Sequence, residues 1–294
     1  MLQKAVILAN KIIYLNGIKM ISRLIISILL LPLLFFAIYL DFSNYIYLYI
    51  LIFVISIIAN FELSRLFRNS YREYLKIYEF STYIFNFILF YSYYAYKAYD
   101  LNRAIPVILP ILVIAFSIIV LIFKKTGLKQ FFLFLISSVY TGMIPLLIIV
   151  IRYFKYGDLL IYLLFLMVWI NDASALFVGS KFGKIKGIIR YSPNKSLEGY
   201  VGSFFITIVI SIIFKLIFSE KLCFTITITI VLSVVVSLTG HLGDILESFI
   251  KRKAGVKDSS RLFAGLGGIL DIFDSVIASL PFYFLFVKLF CARG

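Results

Sequence analysis

The sequence predicts an all-α polytopic membrane protein of about nine transmembrane helices, with its N-terminus cytoplasmic and its C-terminus non-cytoplasmic. Three observations carry this. Of the 294 residues, 63% are hydrophobic and 15% charged, and the mean hydropathy is +1.05; ordinary soluble domains are about 45–50% apolar and ~25% charged. Apolar runs near 20 residues recur along the chain, the length that crosses ~30 Å of hydrocarbon. Once these runs are taken as spans, the basic residues sort to one side.

The expected spans lie near 24–40, 45–61, 81–96, 104–123, 130–151, 159–180, 200–219, 222–243 and 265–287. The second and third are short or polar-edged, and the sixth contains Asn171 and Asp172. With the N-terminus inside, 21 of the 29 Lys and Arg residues fall on the inner side, between 4 and 23, 65 and 76, 124 and 129, 181 and 195, and 251 and 261. Lys97, Arg103, Arg152, Lys155, Lys215, Lys221, Lys288 and Arg293 fall on the other side. A miscounted span would mix the two populations.

This asymmetry explains most of the net charge of +15. Basic inner loops suit anionic membrane lipids and attract phosphate-bearing ligands. Nucleic-acid binding is not expected, because no soluble basic domain or aromatic platform is present. A cleavable signal is not expected either: the first apolar core begins after Arg23 and exceeds a usual signal core, and residues 1–19 read as an amphipathic approach to the membrane. Cys223 and Cys291 fall near the same outer face, where a disulfide is conceivable but not prescribed. Asn194-Lys195-Ser196 matches a glycosylation acceptor by accident if its loop is cytosolic.

The chain divides unevenly, into an N-terminal transmembrane scaffold at 1–156 and a C-terminal transmembrane catalytic region at 157–294. The first part is rich in Ile, Leu, Phe and Tyr, with few ionisable groups well inside apolar sequence. The second carries polar clusters, and no inverted repeat of the transporter kind is evident. Asp172 sits near the inner end of the sixth span, with Gly179 seven residues later on about the same face. An intramembrane Asp costs roughly 2.5–3.5 kcal/mol at a helix centre. It therefore reads either as a paired structural acid or as a group that orients a cation or ribose.

Downstream, Pro193 and Gly199 bracket a shaped loop in which Lys195 can meet phosphate and Glu198 can hold that lysine or accept a hydrogen bond. If the eighth helix runs on, Asp244, Glu247, Ser248 and Lys251 share a face at i, i+3, i+4 and i+7, as a salt-bridged helix end or as one wall of a pocket. His241 is the single histidine, so a multi-histidine metal site is excluded. Asp271 and Asp274 share a face at i,i+3. Two uncompensated carboxylates in low dielectric repel or take up a proton, and a divalent cation resolves this. Hard oxygen donors suit Mg²⁺, and glycines at 265, 267 and 268 permit close packing or approach by phosphate. The same pattern could line an ion or proton path.

The segments SPNKSLEG, GDILESFIKR and KDSSRLFAGLGGILDIFDS, in this order and membrane setting, resemble the C-terminal core of bacterial phosphatidate cytidylyltransferases. The last two join into a signature running from Ser248 to Asp274, with agreement at Ser248, Lys251, Arg252, Lys257, Asp258, Ser260, Gly267, Gly268, Asp271 and Asp274. NDASALFVGSKFGK extends the resemblance back to about residue 170. Where that family commonly has Pro, His and Arg, this chain has Ala264, Leu266 and Ile272; Leu266 cannot donate a hydrogen bond and Ile272 cannot clamp phosphate.

The resemblance implies transfer of the cytidylyl group of CTP to phosphatidic acid, giving CDP-diacylglycerol and pyrophosphate, with Mg²⁺ in a number the sequence does not set. It implies a catalytic set of Asp244, Lys251, Asp271 and Asp274, of which the three acids are the metal ligands. Asp172, Lys195, Ser248, Arg252, Lys257, Asp258, Gly267 and Gly268 are the substrate-binding candidates. The setting would be the bacterial inner membrane, with the site facing the cytoplasm. The alternatives are a CTP-dependent polyprenol or phytol kinase, or a nonenzymatic transporter or partner protein. Small-residue faces around Gly179 and Gly202 permit internal packing or a homo-oligomer.

Overall fold

The computed structural model describes residues 32–40, 43–71, 76–100, 102, 104–123, 128–189, 191–193, 195–260, 262 and 267–291. The first part of the first expected span, 24–31, and Asn194, Ala264, Gly265 and Leu266, lie outside them. Among the described residues the structure is all helix, without a strand. Helix α1 covers 32–39. It is followed by α2 (Ile46–Ser70), α3 (Lys76–Ala98), α4 (Ile105–Phe123), α5 (Leu128–Ser138), α6 (Ile144–Arg152), α7 (Gly157–Phe182), α8 (Leu197–Ile217), α9 (Ile226–Lys253) and α10 (Ile269–Cys291). Among the described residues, six rods are long and apolar enough to cross a membrane: α2, α5 joined to α6, α7, α8, α9 and α10. A polytopic membrane protein fits this architecture.

The join between α5 and α6 is a π turn at Val139–Met143, just ahead of Pro145. A proline removes one helical N–H and crowds the preceding turn, and the wider π turn absorbs both. It also places Thr141 so that Asn86 Nδ2 reaches both Thr141 Oγ1 and Ser56 Oγ at 3.1 Å, tying α2, α3 and the turn together inside the apolar bundle.

α2 buries Leu48, Ile52, Ile55, Ala59, Leu63 and Leu66, the spacing of one helical face. It runs past the expected end at 61 because Asn60, Glu62 and Ser64 are buried too. α10 is central, packed against α9, α6, α7 and α2. α8 turns only Gly199, Ser203, Thr207, Ser211 and Lys215 inward and leaves Val201, Phe205, Val209 and Ile213 exposed, as a lipid-facing helix should.

The bundle has two chemically different ends. The α7–α8 and α9–α10 connections lie at one end, with the C-terminus of α2 and its arginines. The α8–α9 connection lies at the other, where Cys223 is disulfide-bonded to Cys291 at a Cα separation of 5.3 Å.

Candidate active site

α9 is continuous from Ile226 to Lys253, so Asp244, Glu247, Ser248 and Lys251 do share a face. That face is divided between two neighbours. Asp244 pairs with Lys195 from the α7–α8 loop. Lys251 is buried and pairs with Glu247 at 2.6 Å and with Asp271 of α10 at 2.5 Å. Ser248 stands 3.5 Å from Asp244, a long contact. Gly243 lets the helices close here, since a Cβ on it would lie 2.7 Å from the Asp274 carbonyl oxygen.

The start of α10 is held by two carboxylates. Asp271 Oδ2 accepts from the backbone N–H of Gly268 at 2.7 Å, of Ser259 at 2.8 Å, and from the Ser259 hydroxyl at 2.7 Å. Reaching back from the first turn in this way satisfies an otherwise orphaned N–H. The second carboxylate is Glu62 of α2, which sequence reasoning missed. It accepts from Ser259 Oγ, Ser260 Oγ, Ile269 N and Leu270 N at 2.9, 2.6, 3.1 and 2.9 Å. Gly267 has φ +91°, and a Cβ on Gly268 would strike Ser259 Oγ and the Glu62 carboxylate. The two glycines therefore serve the turn and a close protein–protein approach.

Asp274 is buried one turn further on, and Ser275 donates its N–H to it at 2.5 Å. It lies within electrostatic reach of Asp172, which bonds to Ser275 and feels Lys195. Glu247 faces Asp274 as well, and its Oε1 is buried without a donor. Burial lowers the pKa of the Lys195 ammonium, while Asp172 and Asp274 pull it upward.

These contacts link Asp172, Asp244, Glu247, Asp271 and Asp274 to Lys195 and Lys251, five carboxylates against two ammonium groups. Among the described residues, no group of three or more Asp, Glu, His or Cys side chains is arranged to hold one ion. The donor set nevertheless fits a hard cation. Carboxylates outnumber ammonium groups, and two of the buried acids, Glu247 and Asp274, face each other. Mg²⁺ is commonly bound by one or two carboxylates with substrate phosphates completing its shell.

Two cavities flank the cluster. One, of about 490 Å³, is lined by Asp172, Leu176, Lys186, Lys195, Tyr200 and Asp244, among others. The other, of about 560 Å³, is lined by Arg65, Asn69, Lys257, Asp258, Ser259 and Ser260 with Leu66 and Val256. Lys257 and Asp258 thus belong to the second cavity rather than to the buried cluster. Arg252 bonds the Val256 carbonyl at 3.0 Å, shaping the loop after α9. Glu198 accepts the Ile185 N–H at 3.1 Å and holds the α7–α8 loop, while Ser196 caps α8. His241 is buried between Asn171 and Ser203, which contact its two ring nitrogens, so it serves the packing of α7, α8 and α9. Ile272 packs against the apolar core.

The fold and site define a helical membrane bundle with an acidic, lysine-braced cluster between two cavities at one end. The chain belongs to the cytidylyltransferase family, whose model matches residues 21–290. It is similar to the phosphatidate cytidylyltransferase of Bacillus subtilis (strain 168), 33% identical over 156 residues, 53% of this chain and 57% of that protein. It is also similar to those of Haemophilus influenzae, 35% over 133 residues (45% and 46%), and Staphylococcus aureus (strain COL), 38% over 117 residues (40% and 44%). The matches span about half the length of these relatives.

Proposed function

We propose that the protein is a phosphatidate cytidylyltransferase, joining CTP to phosphatidic acid to give CDP-diacylglycerol and pyrophosphate. The observation that carries this reading is the excess of buried and half-buried carboxylates, braced by Lys195 and Lys251, between two cavities in a chain of this family. A phosphate oxygen of phosphatidic acid attacks the α-phosphorus of CTP, the bond from that phosphorus to the β-bridging oxygen breaks, and pyrophosphate leaves. No general base is needed, because the lipid phosphate is already ionised. Positioning and charge stabilisation carry the acceleration.

Mg²⁺ bound here would screen the phosphates and stabilise charge on the departing pyrophosphate. Asp274 is its leading holder, next to Glu247 and Asp172, with Asp244 and Asp271 on either side. Lys195 is the leading phosphate contact in the first cavity, with Asp172 and Asp244 beside it. Arg65 and Lys257 offer positive charge in the second. Lys251 orients Asp271, and Arg252 orients the loop. Residues 1–156 act as scaffold and 157–294 carry the reaction, with Glu62 as a scaffold contribution to the site.

We read the nine-span topology as placing this site on the cytoplasmic side of a bacterial inner membrane. The basic residues near 65–68, 181–195 and 251–257 cluster at the site end. The Cys223–Cys291 disulfide lies at the opposite end and suits an oxidising compartment. A kinase acting on a polyprenol would transfer phosphate to an alcohol. Offering purified protein phosphatidic acid or a polyprenol with CTP and Mg²⁺ separates the two: the proposal expects CDP-diacylglycerol from the first and no phosphorylated alcohol from the second.

A further inference from the structure

The α2 carboxylate lies outside the segment that resembles the family's signature, yet it touches that signature at four points. Glu62 is only 1% exposed. Oε1 accepts from Ser260 and Ile269, and Oε2 from Ser259 and Leu270. Ile269 and Leu270 open α10, so Glu62 places a negative group from another helix on the positive end of α10. The partners lie about 200 positions away in sequence, the widest separation being 208. No local signal for this contact exists.

The contact continues into the cluster. The Ser259 hydroxyl stands between Glu62 at 2.9 Å and Asp271 at 2.7 Å, so one proton serves two carboxylates. Asp271 in turn grips Lys251, and Asp274 follows one turn along α10. Gly268 is confined to glycine by the same carboxylate. The position of Asp271 and Asp274 relative to α9 therefore depends on an acid that meets neither cavity's proposed ligand.

We propose that Glu62 is a positioning residue for the reaction: it latches Ser259, Ser260 and the first turn of α10 to the scaffold, and so fixes Asp271 and Asp274. This rests on the function proposed above. Misplacing a reacting arrangement by 1 Å can cost up to ~10²-fold in rate, so the latch should act on turnover more than on substrate binding.

The test uses the full chain, reconstituted, as wild type, Glu62→Gln and Ser260→Ala. Gln keeps the shape but turns one acceptor into a donor that faces N–H and O–H groups. Ser260→Ala removes one arm from the loop side, should the first variant fail to fold. Hydrogen exchange should rise in 256–272 while α7 and α8 keep wild-type protection. The kcat for CDP-diacylglycerol should fall by about 10-fold or more with KM for CTP within ~3-fold. Wild-type exchange in 256–272 together with wild-type kcat would overturn the latch. So would faster exchange throughout the bundle, with activity lost only in proportion to folded protein. A wild type that does not use CTP would instead refute the proposed function, and the exchange profiles would still decide whether the latch exists.

Discussion

Lys251 Nζ lies 2.5 Å from Asp271 Oδ1, binding the last turns of α9 to the first turn of α10 beneath the proposed site. The same ammonium holds Glu247 at 2.6 Å. Lys251→Met would leave two buried carboxylates without their counter-charge. Removing one partner of a buried pair costs about 3–5 kcal/mol. The expected outcome is a lower thermal midpoint in detergent and loss of CTP turnover together. An unchanged midpoint would mean that the link does not brace the helices.

Asp271 and Asp274 should respond differently to amidation. Asp274→Asn alters an acid that takes only one backbone N–H and faces other acids, so activity should fall by about 10²-fold or more with folding retained. Asp271→Asn also disturbs the bonds from Gly268 and Ser259. It should lose activity and protection of the loop alike. Mg²⁺ titration of equal amounts of folded protein checks both.

Lys195→Ala removes the proposed phosphate contact and releases Asp244. A clamp that holds ground state and transition state alike contributes to KM more than to kcat. KM for CTP or phosphatidic acid should therefore rise by about 10-fold, with a smaller change in kcat. Steady-state kinetics with each substrate varied in turn tells which phosphate it meets.

How much of this was legible depends on whether the partners are local. The i,i+3 and i,i+4 spacing of Asp244, Glu247, Ser248 and Lys251 announced one face, and α9 has it. Asp172, Lys195 and Asp274 stood out as polar groups in or beside apolar runs. Glu62 did not: the expected span ends at Phe61, and an acid at a membrane edge reads as ordinary. Its partners come from the far end of the chain, so no periodicity could point to them. The cation reading of Asp271 and Asp274 came from their shared face, and resemblance alone added Asp244 to a metal centre. Spacing could not tell that Lys195 and Lys251 would pair with two of them.

Topology offers an independent check. The disulfide end of the bundle should face away from the cytoplasm, so a membrane-impermeant reductant applied from that side should open Cys223–Cys291 to a thiol label in intact cells. Reduction only after permeabilisation would reverse the proposed orientation and place the acidic site outside.

The central claim is that the α-phosphorus of CTP is transferred with its nucleoside to phosphatidic acid. Purified protein in lipid, with Mg²⁺ and phosphatidic acid, would be given CTP labelled at the α- or at the γ-phosphate. The account predicts α-label in the lipid product and γ-label in pyrophosphate, in equal amounts. γ-Label in lipid, or no lipid label from either nucleotide, would contradict it.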